Sequence, residues 1–184
     1  MLIFKRQLKN GLILQQTNLE AYNDILHLQK DSKKYRPTLF DFIANNALDF
    51  YKTPENSIAK PADKFEILEK HFLNTSIEKP QHFSLQYNVL EIYNDLTAFH
   101  SRNNNLNAFV NAELERLKYA NQYANFDGKD ALYLAKLNAL KNENKQHEAS
   151  TLIDFEIATV YYNESSTYQN DKNEETQFKL AEAL

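Results

Sequence analysis

Residues 85–117 read LQYNVLEIYNDLTAFHSRNNNLNAFVNAELERL, and this stretch decides the fold class. On both sides of three consecutive asparagines, apolar residues recur with the spacing of an amphipathic helix. The apolar positions before the asparagines are Leu85, Val89, Ile92, Tyr93, Leu96 and Phe99. Those after them are Leu106, Phe109, Val110, Leu114 and Leu117. Because asparagine tolerates the left-handed conformation found at helix ends, residues 103–105 predict the turn between two antiparallel helices.

The composition of the chain favours an all-α fold. The 184 residues include two glycines and four prolines, where average usage of about 7% and about 5% would give about 22 in total. Sandwiches, barrels and doubly wound sheets need glycine at turns and bulges, so they are disfavoured. The net charge of −4 argues against a nucleic-acid binder, and the absence of cysteine excludes thiolate and thioester chemistry within these residues. The longest apolar run, residues 1–4, is far shorter than the about 20 residues of a membrane span.

Helical spacing extends along most of the chain and predicts a single helical domain over 1–184. We expect a helix over 37–52, an irregular proline-containing connection over 53–82 with a short helix near 63–73, and helix pairs over 83–184. Helix pairs that repeat about every 35–45 residues predict a tetratricopeptide-like helical array. A compact helical bundle is the alternative.

Local signals predict the ends and the buried faces of individual helices. Thr38, with Asp41 in the following turn, predicts the start of the 37–52 helix. Its predicted inward stripe is Phe40, Ile43, Ala44, Ala47, Leu48 and Tyr51. Thr17 and Glu20 form a capping-box pattern, which predicts a further helix with Tyr22, Ile25 and Leu26 on one face. After Gly128 we expect a last antiparallel pair, in which Leu132, Ala135, Ala139 and Leu140 face Ile153, Ile157, Val160 and Tyr161, and then a helix over 174–184.

The sequence contains no recognisable catalytic or ligand-binding motif, and it therefore predicts no catalytic residue, no metal site, no cofactor-binding residue and no cofactor. The histidines show neither an HExxH pair nor the Glu-x-x-His motif of di-iron bundles. Glu143 and His147 are four residues apart, and we expect them to lie across a solvated turn between helices. Two isolated glycines provide no phosphate-binding loop and no nucleophile elbow. The sequence therefore gives no sign of an enzyme.

One stretch is more distinctive than its composition. Residues 35–51 read YRPTLFDFIANNALDFY, and residues 60–67 read KPADKFEI. They resemble the RPTLYDFLAxRALDFF…P…FEI segment of large bacterial alpha-2-macroglobulin-like proteins, and weaker similarity covers most of the remaining chain. Asn45 and Asn46 stand where the family pattern has a basic residue before Ala47. The resemblance implies a signature and packing role for Pro37, Thr38, Leu39, Phe40, Asp41, Phe42, Ala47, Leu48, Asp49 and Phe50.

The resemblance also implies a function. Those proteins are large, exported and similar to protease-trapping macroglobulins, whose bait and reactive thioester lie outside these residues. Lys5 interrupts the apolar start, so no signal peptide is expected and the chain looks like an internal piece of such a protein. The implied role is a non-catalytic scaffold in the periplasm or cell envelope, which contacts other domains of the parent chain or a protein or peptide partner. It would not bind nucleic acid or insert into a membrane. A free-standing helical-repeat adaptor that binds a peptide or protein partner is the alternative.

Overall fold

The computed structural model of the protein describes residues 4, 7–8, 11–27, 29–53, 65–73 and 77–165. Within these ranges the chain forms eight α-helices and one 3-10 helix, Leu19–Tyr22, without any β-strand, so the all-α prediction is confirmed for them. No helix of the described ranges combines the length and apolar character that a membrane crossing needs. The α-helices are α1 Gly11–Gln16, α2 Ser32–Tyr35, α3 Leu39–Lys52, α4 Lys70–Leu73, α5 Leu85–Arg102, α6 Leu106–Tyr123, α7 Lys129–Asn144 and α8 Ser150–Ser165.

The chain divides into two compact units, Met1–Phe126 and Asp127–Leu184. The first unit contains α1 to α6, and the second contains α7 and α8. The single domain over 1–184 and the tetratricopeptide-like array stay predictions. The helix predicted over 174–184 lies outside the described residues.

The hairpin of α5 and α6 is the centre of the first unit. The Ser84 hydroxyl accepts a hydrogen bond from the Tyr87 N–H at 2.9 Å and so caps α5. The turn that follows α5 contains Asn104 in the left-handed region, at φ 52°, and the Asn105 side chain then caps α6. The turn and most of the predicted apolar face are thereby confirmed. Its buried members are Val89, Ile92, Tyr93, Leu96, Phe99, Val110, Leu114 and Leu117, while Leu85, Leu106 and Phe109 are half-buried.

Helix α3 begins at Leu39, directly after the predicted cap Thr38 and two residues later than the predicted range 37–52, and it packs against α5. The Thr38 hydroxyl accepts from the Asp41 N–H at 3.4 Å, and the Asp41 carboxylate accepts from the Thr38 N–H at 2.9 Å. This reciprocal capping box satisfies two N–H groups that the first turn of a helix leaves without partners. The inward stripe is confirmed, with Phe40, Ala44, Ala47, Leu48 and Tyr51 buried and Ile43 half-buried.

The helix predicted after Thr17 is wrong. Only the short 3-10 helix Leu19–Tyr22 forms there, and its cap is Asn18, because the Thr17 hydroxyl donates to the Ile13 carbonyl at 2.7 Å. The Leu19 N–H donates to the Pro37 carbonyl at 3.0 Å, and the Leu39 N–H donates to the Thr17 carbonyl at 2.8 Å. These tertiary hydrogen bonds join the segments that precede the 3-10 helix and α3, with Asn18 and Thr38 both extended as helix caps.

The irregular connection over 53–82 is described at 53, 65–73 and 77–82. The short helix predicted near 63–73 is present in its last turn as α4, and Ile67 and Phe72 are buried. The Phe72 ring meets the Phe126 ring edge-on at 5.8 Å. The connection therefore packs against the first unit at Ile67 and Phe72.

The second unit contains the predicted pair of α7 and α8, but the buried face of α7 differs from the prediction. Gly128 begins α7 in the left-handed region, at φ 80°. Ala135 and Ala139 are exposed, and Leu132 is half-buried, because the face towards α8 is instead built from larger side chains. The buried residues of the pair are Tyr133, Leu137, Leu140, Asn144, Ile153 and Ile157, with Val160 and Tyr161 half-buried. The alanines thus reflect helix propensity rather than burial.

Candidate functional site

A buried carboxylate–imidazole pair joins α3 to α5. The Asp41 Oδ1 atom lies 2.7 Å from the His100 Nε2 atom, and the two side chains are 1% and 2% exposed. Because an ionised carboxylate can only accept, the Nε2–H group donates. A charge-assisted hydrogen bond in an environment without competing water is stronger than one at the surface. The pair therefore ties the start of α3 to the last turn of α5.

The second oxygen of the Asp41 carboxylate is held within its own helix. The Thr38 N–H donates to Oδ2 at 2.9 Å, and the Thr38 hydroxyl donates to the same atom at 2.7 Å. The carboxylate thus accepts three hydrogen bonds and lies in the first turn of α3, where the helix dipole favours a negative charge. Together these contacts explain how a charged residue is accommodated at almost complete burial.

An aromatic contact adjoins the polar pair. The rings of Phe40 and Phe99 meet edge-on, with centroids 5.4 Å apart and planes at 77°. Phe40 precedes Asp41 in α3, and Phe99 precedes His100 in α5, so the same two turns of helix carry both contacts. The polar pair specifies one register of α3 on α5, and the aromatic pair contributes apolar burial to that register.

The geometry of this cluster suits a structural lock rather than nucleophilic chemistry. An activated hydroxyl donates its proton to a base such as histidine. Here the Thr38 hydroxyl donates to the Asp41 carboxylate, and His100 donates to the other oxygen of the same carboxylate. Both donors thus converge on the Asp41 carboxylate and hold the helix start in place.

A groove with both polar and apolar walls borders the cluster, and Leu12, Pro37 and Phe99 form part of it. Its volume is about 370 Å³, and Thr38 and His100 contribute to its wall. Four residues with side-chain amides contribute to this wall, and two of these amides are used within the protein: Asn103 donates to the Phe99 carbonyl at 3.1 Å, and Asn105 accepts from the Ala108 N–H at 3.2 Å. The amides belong to Gln15, Gln16, Asn103 and Asn105.

The structure places the predicted signature residues on two sides of α3. Those directed inward are Phe40, Asp41, Ala47 and Leu48. Pro37, Thr38, Leu39 and Phe50 are half-buried, and Phe42 and Asp49 are exposed. The side chains of Asn45 and Asn46, where the family pattern is basic, donate to carbonyls one turn earlier in α3 at 2.8 and 2.9 Å. The most distinctive stretch of the sequence therefore serves mainly in internal packing.

His100 was not singled out by the sequence, although a signal for it was present. Val89, Tyr93 and Leu96 lie at offsets that also include position 100, so the histidine continues the apolar stripe of α5. A histidine on a buried stripe needs a hydrogen-bond partner. The sequence offered no means to identify Asp41 as that partner, because 59 residues separate the two.

A second polar cluster fastens the connection to α6. Arg116 is buried, and its guanidinium donates to the His71 carbonyl at 2.8 Å and to Glu113 in a two-pronged contact at 2.6 and 2.7 Å. The His71 Nδ1 atom accepts from the Leu68 N–H at 2.8 Å. Burial, and to a lesser degree the charge of Lys70, lowers the pKa of His71 below its ordinary value. The folded protein therefore favours neutral His71.

This lowered pKa predicts a loss of stability in mild acid. Because the unfolded chain takes up a proton at His71 more readily, stability is lost as the pH falls below about 6.5 towards the lower pKa of the folded state. His71→Asn keeps an acceptor near the position of Nδ1 but does not titrate. Urea unfolding between pH 7.5 and pH 5 is expected to show a smaller loss in this variant than in the wild type. An equal loss in both proteins would contradict the assignment.

Tyrosines on the α5 stripe are held in their neutral form. Burial, followed by a hydrogen bond to Glu91, raises the pKa of Tyr87 to about 12. Burial likewise raises the pKa of Tyr93, whose hydroxyl accepts from the Lys52 ammonium at 3.1 Å. The Tyr87 hydroxyl donates to Glu91 within α5, and the Tyr93 hydroxyl links α5 to Lys52 of α3. Both phenols keep their protons near neutral pH.

The described residues contain no group of three or more histidine, aspartate or glutamate side chains arranged to hold a metal ion. Glu143 lies in α7, whereas His147 lies in the turn that follows it, and its Nδ1 accepts from the Ala149 N–H at 3.2 Å. Comparison with protein-family models, with curated proteins and with solved structures found no match. The role of the Asp41–His100 cluster is therefore inferred from its own contacts.

Proposed function

We propose that this chain is a non-catalytic helical scaffold and interaction region of a large exported bacterial alpha-2-macroglobulin-like protein. Its helix pairs would stack in a tetratricopeptide-like array that holds neighbouring domains of the parent chain or a protein or peptide partner. The parent would act in the periplasm or cell envelope as an endopeptidase inhibitor. The chain itself would use no cofactor and bind no nucleic acid.

The burial of Asp41 is the observation that supports a scaffold best. A residue of the signature segment that served catalysis or capture would have to reach solvent or a ligand. Asp41 instead accepts from Thr38 and His100 at 1% exposure of its own side chain. The distinctive residues are thus used to set the position of one helix on another, which is the requirement for a rigid support.

The proposal predicts that the isolated chain does not capture a protease. After incubation with chymotrypsin, size-exclusion chromatography with an activity assay on each fraction is expected to find the protease at its free elution volume. The reason is that trapping by macroglobulins needs a bait and enclosing domains, which the scaffold role assigns to other parts of the parent. Bovine serum albumin at the same concentration is the control. Protease activity that co-elutes with the nicked chain would contradict the scaffold proposal.

The groove beside the Asp41–His100 pair favours one alternative, a free-standing helical-repeat adaptor. The side-chain amides of Gln15 and Gln16 can bind the main chain of an extended peptide without strong sequence selection. The complete reading frame distinguishes the two functions. Macroglobulin domains encoded next to this chain support the parent-protein proposal, and a reading frame confined to the helical region supports the adaptor.

A further inference from the structure

Residues 65–73, which include α4, pack on the hairpin of α5 and α6, and we call this segment the strap. The Phe65 ring of the strap meets the Tyr87 ring of α5 edge-on, with centroids 5.8 Å apart. On α6, the Arg116 guanidinium donates to the carbonyl of His71 at 2.8 Å. The strap is thus fastened to both helices of the hairpin.

The His71 imidazole closes a turn inside the strap. Its Nδ1 atom accepts from the Leu68 N–H at 2.8 Å, and the His71 N–H donates to the Leu68 carbonyl at 2.9 Å. His71 is 4% exposed, and its ring lies 5.1 Å from that of Phe65. Because a ring nitrogen that accepts a hydrogen bond carries no proton, the closed turn requires the neutral imidazole. A protonated ring would direct its Nδ1–H at the Leu68 N–H and lose this hydrogen bond.

The charges around His71 also oppose a proton on the ring. Lys70 is its neighbour in α4, and the cationic Arg116 of α6 is bonded to its carbonyl. Glu113 of α6 accepts from Arg116 with both of its oxygens, so it is engaged with another cation. Burial of the ring and the charge of Lys70 accordingly lower the pKa of His71.

The other ionisable groups of the strap and of α5 do not offset this effect. Glu66 and Glu69, the carboxylates of the strap, are exposed, and water weakens their attraction for a buried ring. Tyr87 of α5 stays neutral near pH 7, and its hydroxyl donates to Glu91. Mild acid therefore places a charge on His71 that the closed strap does not accommodate.

From these contacts we infer that the strap is a proton-sensitive device: when His71 takes up a proton in mild acid, residues 65–73 detach from the hairpin of α5 and α6 while the hairpin stays folded. Release uncovers the Tyr87 ring and frees one donor of Arg116, which keeps its contact with Glu113. The change takes place within the first unit and does not depend on the proposed parent protein.

Hydrogen exchange of the full chain at pH 7.5 and pH 5.5 tests this inference. The reporters are the N–H groups of Leu68, His71 and Phe72, which are hydrogen-bonded within the strap. Rates are expressed as protection factors, which correct for the effect of pH on the chemical exchange step. Protection of the strap is expected to fall by at least about threefold and at most about tenfold, the limit for one histidine with a pKa of about 6.5 when open. Unchanged protection would overturn the inference.

The same data distinguish release of the strap from global unfolding. If the strap detaches from a folded hairpin, its N–H groups should be at least about tenfold less protected than the buried ones of α5 and α6 at both pH values. Equal protection of the strap and the hairpin would mean that the strap opens only when the unit unfolds. The inference would then be wrong.

Two substitutions assign the proton. His71→Asn should remove most of the pH dependence of strap protection, because the amide offers an acceptor but does not titrate. The matched control is His147→Asn, since the His147 Nδ1 also accepts a main-chain N–H, that of Ala149 at 3.2 Å, but lies in the second unit. It should keep the wild-type dependence. A wild-type dependence in His71→Asn would assign the proton to another group, such as Glu113, and overturn the inference.

A measurement on the wild type covers the case in which His71→Asn does not fold. The ring signals of His71 are identified in NMR spectra by their proximity to the Phe65 ring. Their titration midpoint is expected below about 6.5, the ordinary value for histidine. A midpoint at or above that value would mean that the closed strap accepts the proton, and the inference would be wrong.

Discussion

Replacement of Asp41 by alanine is expected to lower the free energy of unfolding by about 3–5 kcal/mol. The change leaves the His100 Nε2–H and the Thr38 N–H without their acceptor in a buried environment, and it removes the capping box of α3. The loss of a hydrogen-bond partner lowers the free energy of unfolding more at a buried charged pair than at the surface, because water does not replace the lost partner in the interior. Urea unfolding followed by circular dichroism at 222 nm measures the change.

Two variants make this prediction specific. Asp49→Ala is the matched control, because Asp49 lies in the same helix but is exposed, and it should cost less than about 1 kcal/mol. Asp41→Asn should cost less than Asp41→Ala, since an amide can still accept from the Thr38 N–H and donate to a neutral imidazole. If Asp41→Ala were as stable as Asp49→Ala, the carboxylate would not hold α3 in place.

Phe40→Ala is expected to cost about 3–5 kcal/mol. The Phe40 side chain is 3% exposed, and its ring meets that of Phe99 at 5.4 Å, so truncation removes apolar burial and leaves a cavity between α3 and α5. The same urea experiment measures it. Phe42→Ala is the matched control, because Phe42 is 37% exposed two residues further along the helix, and it should cost about 1 kcal/mol.

The comparison of these two variants has a clear contrary outcome. A loss below about 1 kcal/mol for Phe40→Ala, similar to that for Phe42→Ala, would mean that the ring is not part of the core. Phe40 would then belong to a surface that other parts of a parent protein cover. The slope of free energy against urea concentration should stay unchanged in both variants, since neither alters the surface exposed on unfolding by much.

The fold was predictable wherever local spacing and tertiary packing agree. The stripe of α5, the turn at residues 103–105 and the Thr38 cap needed only helical spacing and capping chemistry. The segment after Thr17 was mispredicted, because the Thr17 hydroxyl donates back to the Ile13 carbonyl and Asn18 caps a single short 3-10 turn instead. In α7, Ala135 and Ala139 had helical spacing but are exposed, and the buried face is formed by larger side chains. Spacing alone therefore predicted the wrong buried face.

The candidate site was only half predictable. Asp41 was expected in the first turn of α3, because a carboxylate there completes a cap. Its contact with His100 depends on how α3 packs on α5, which no short-range pattern encodes.

A double-mutant cycle on Asp41 and His100 tests most directly whether the signature segment acts as an internal lock between α3 and α5. Asp41→Ala, His100→Ala and the double variant should give a coupling free energy of about 1–3 kcal/mol. The control cycle uses the Lys33–Glu20 pair, 3.0 Å apart with side chains 42% and 58% exposed, where about 0.5 kcal/mol is expected. A coupling within about 0.3 kcal/mol of zero for Asp41 and His100 would contradict the lock.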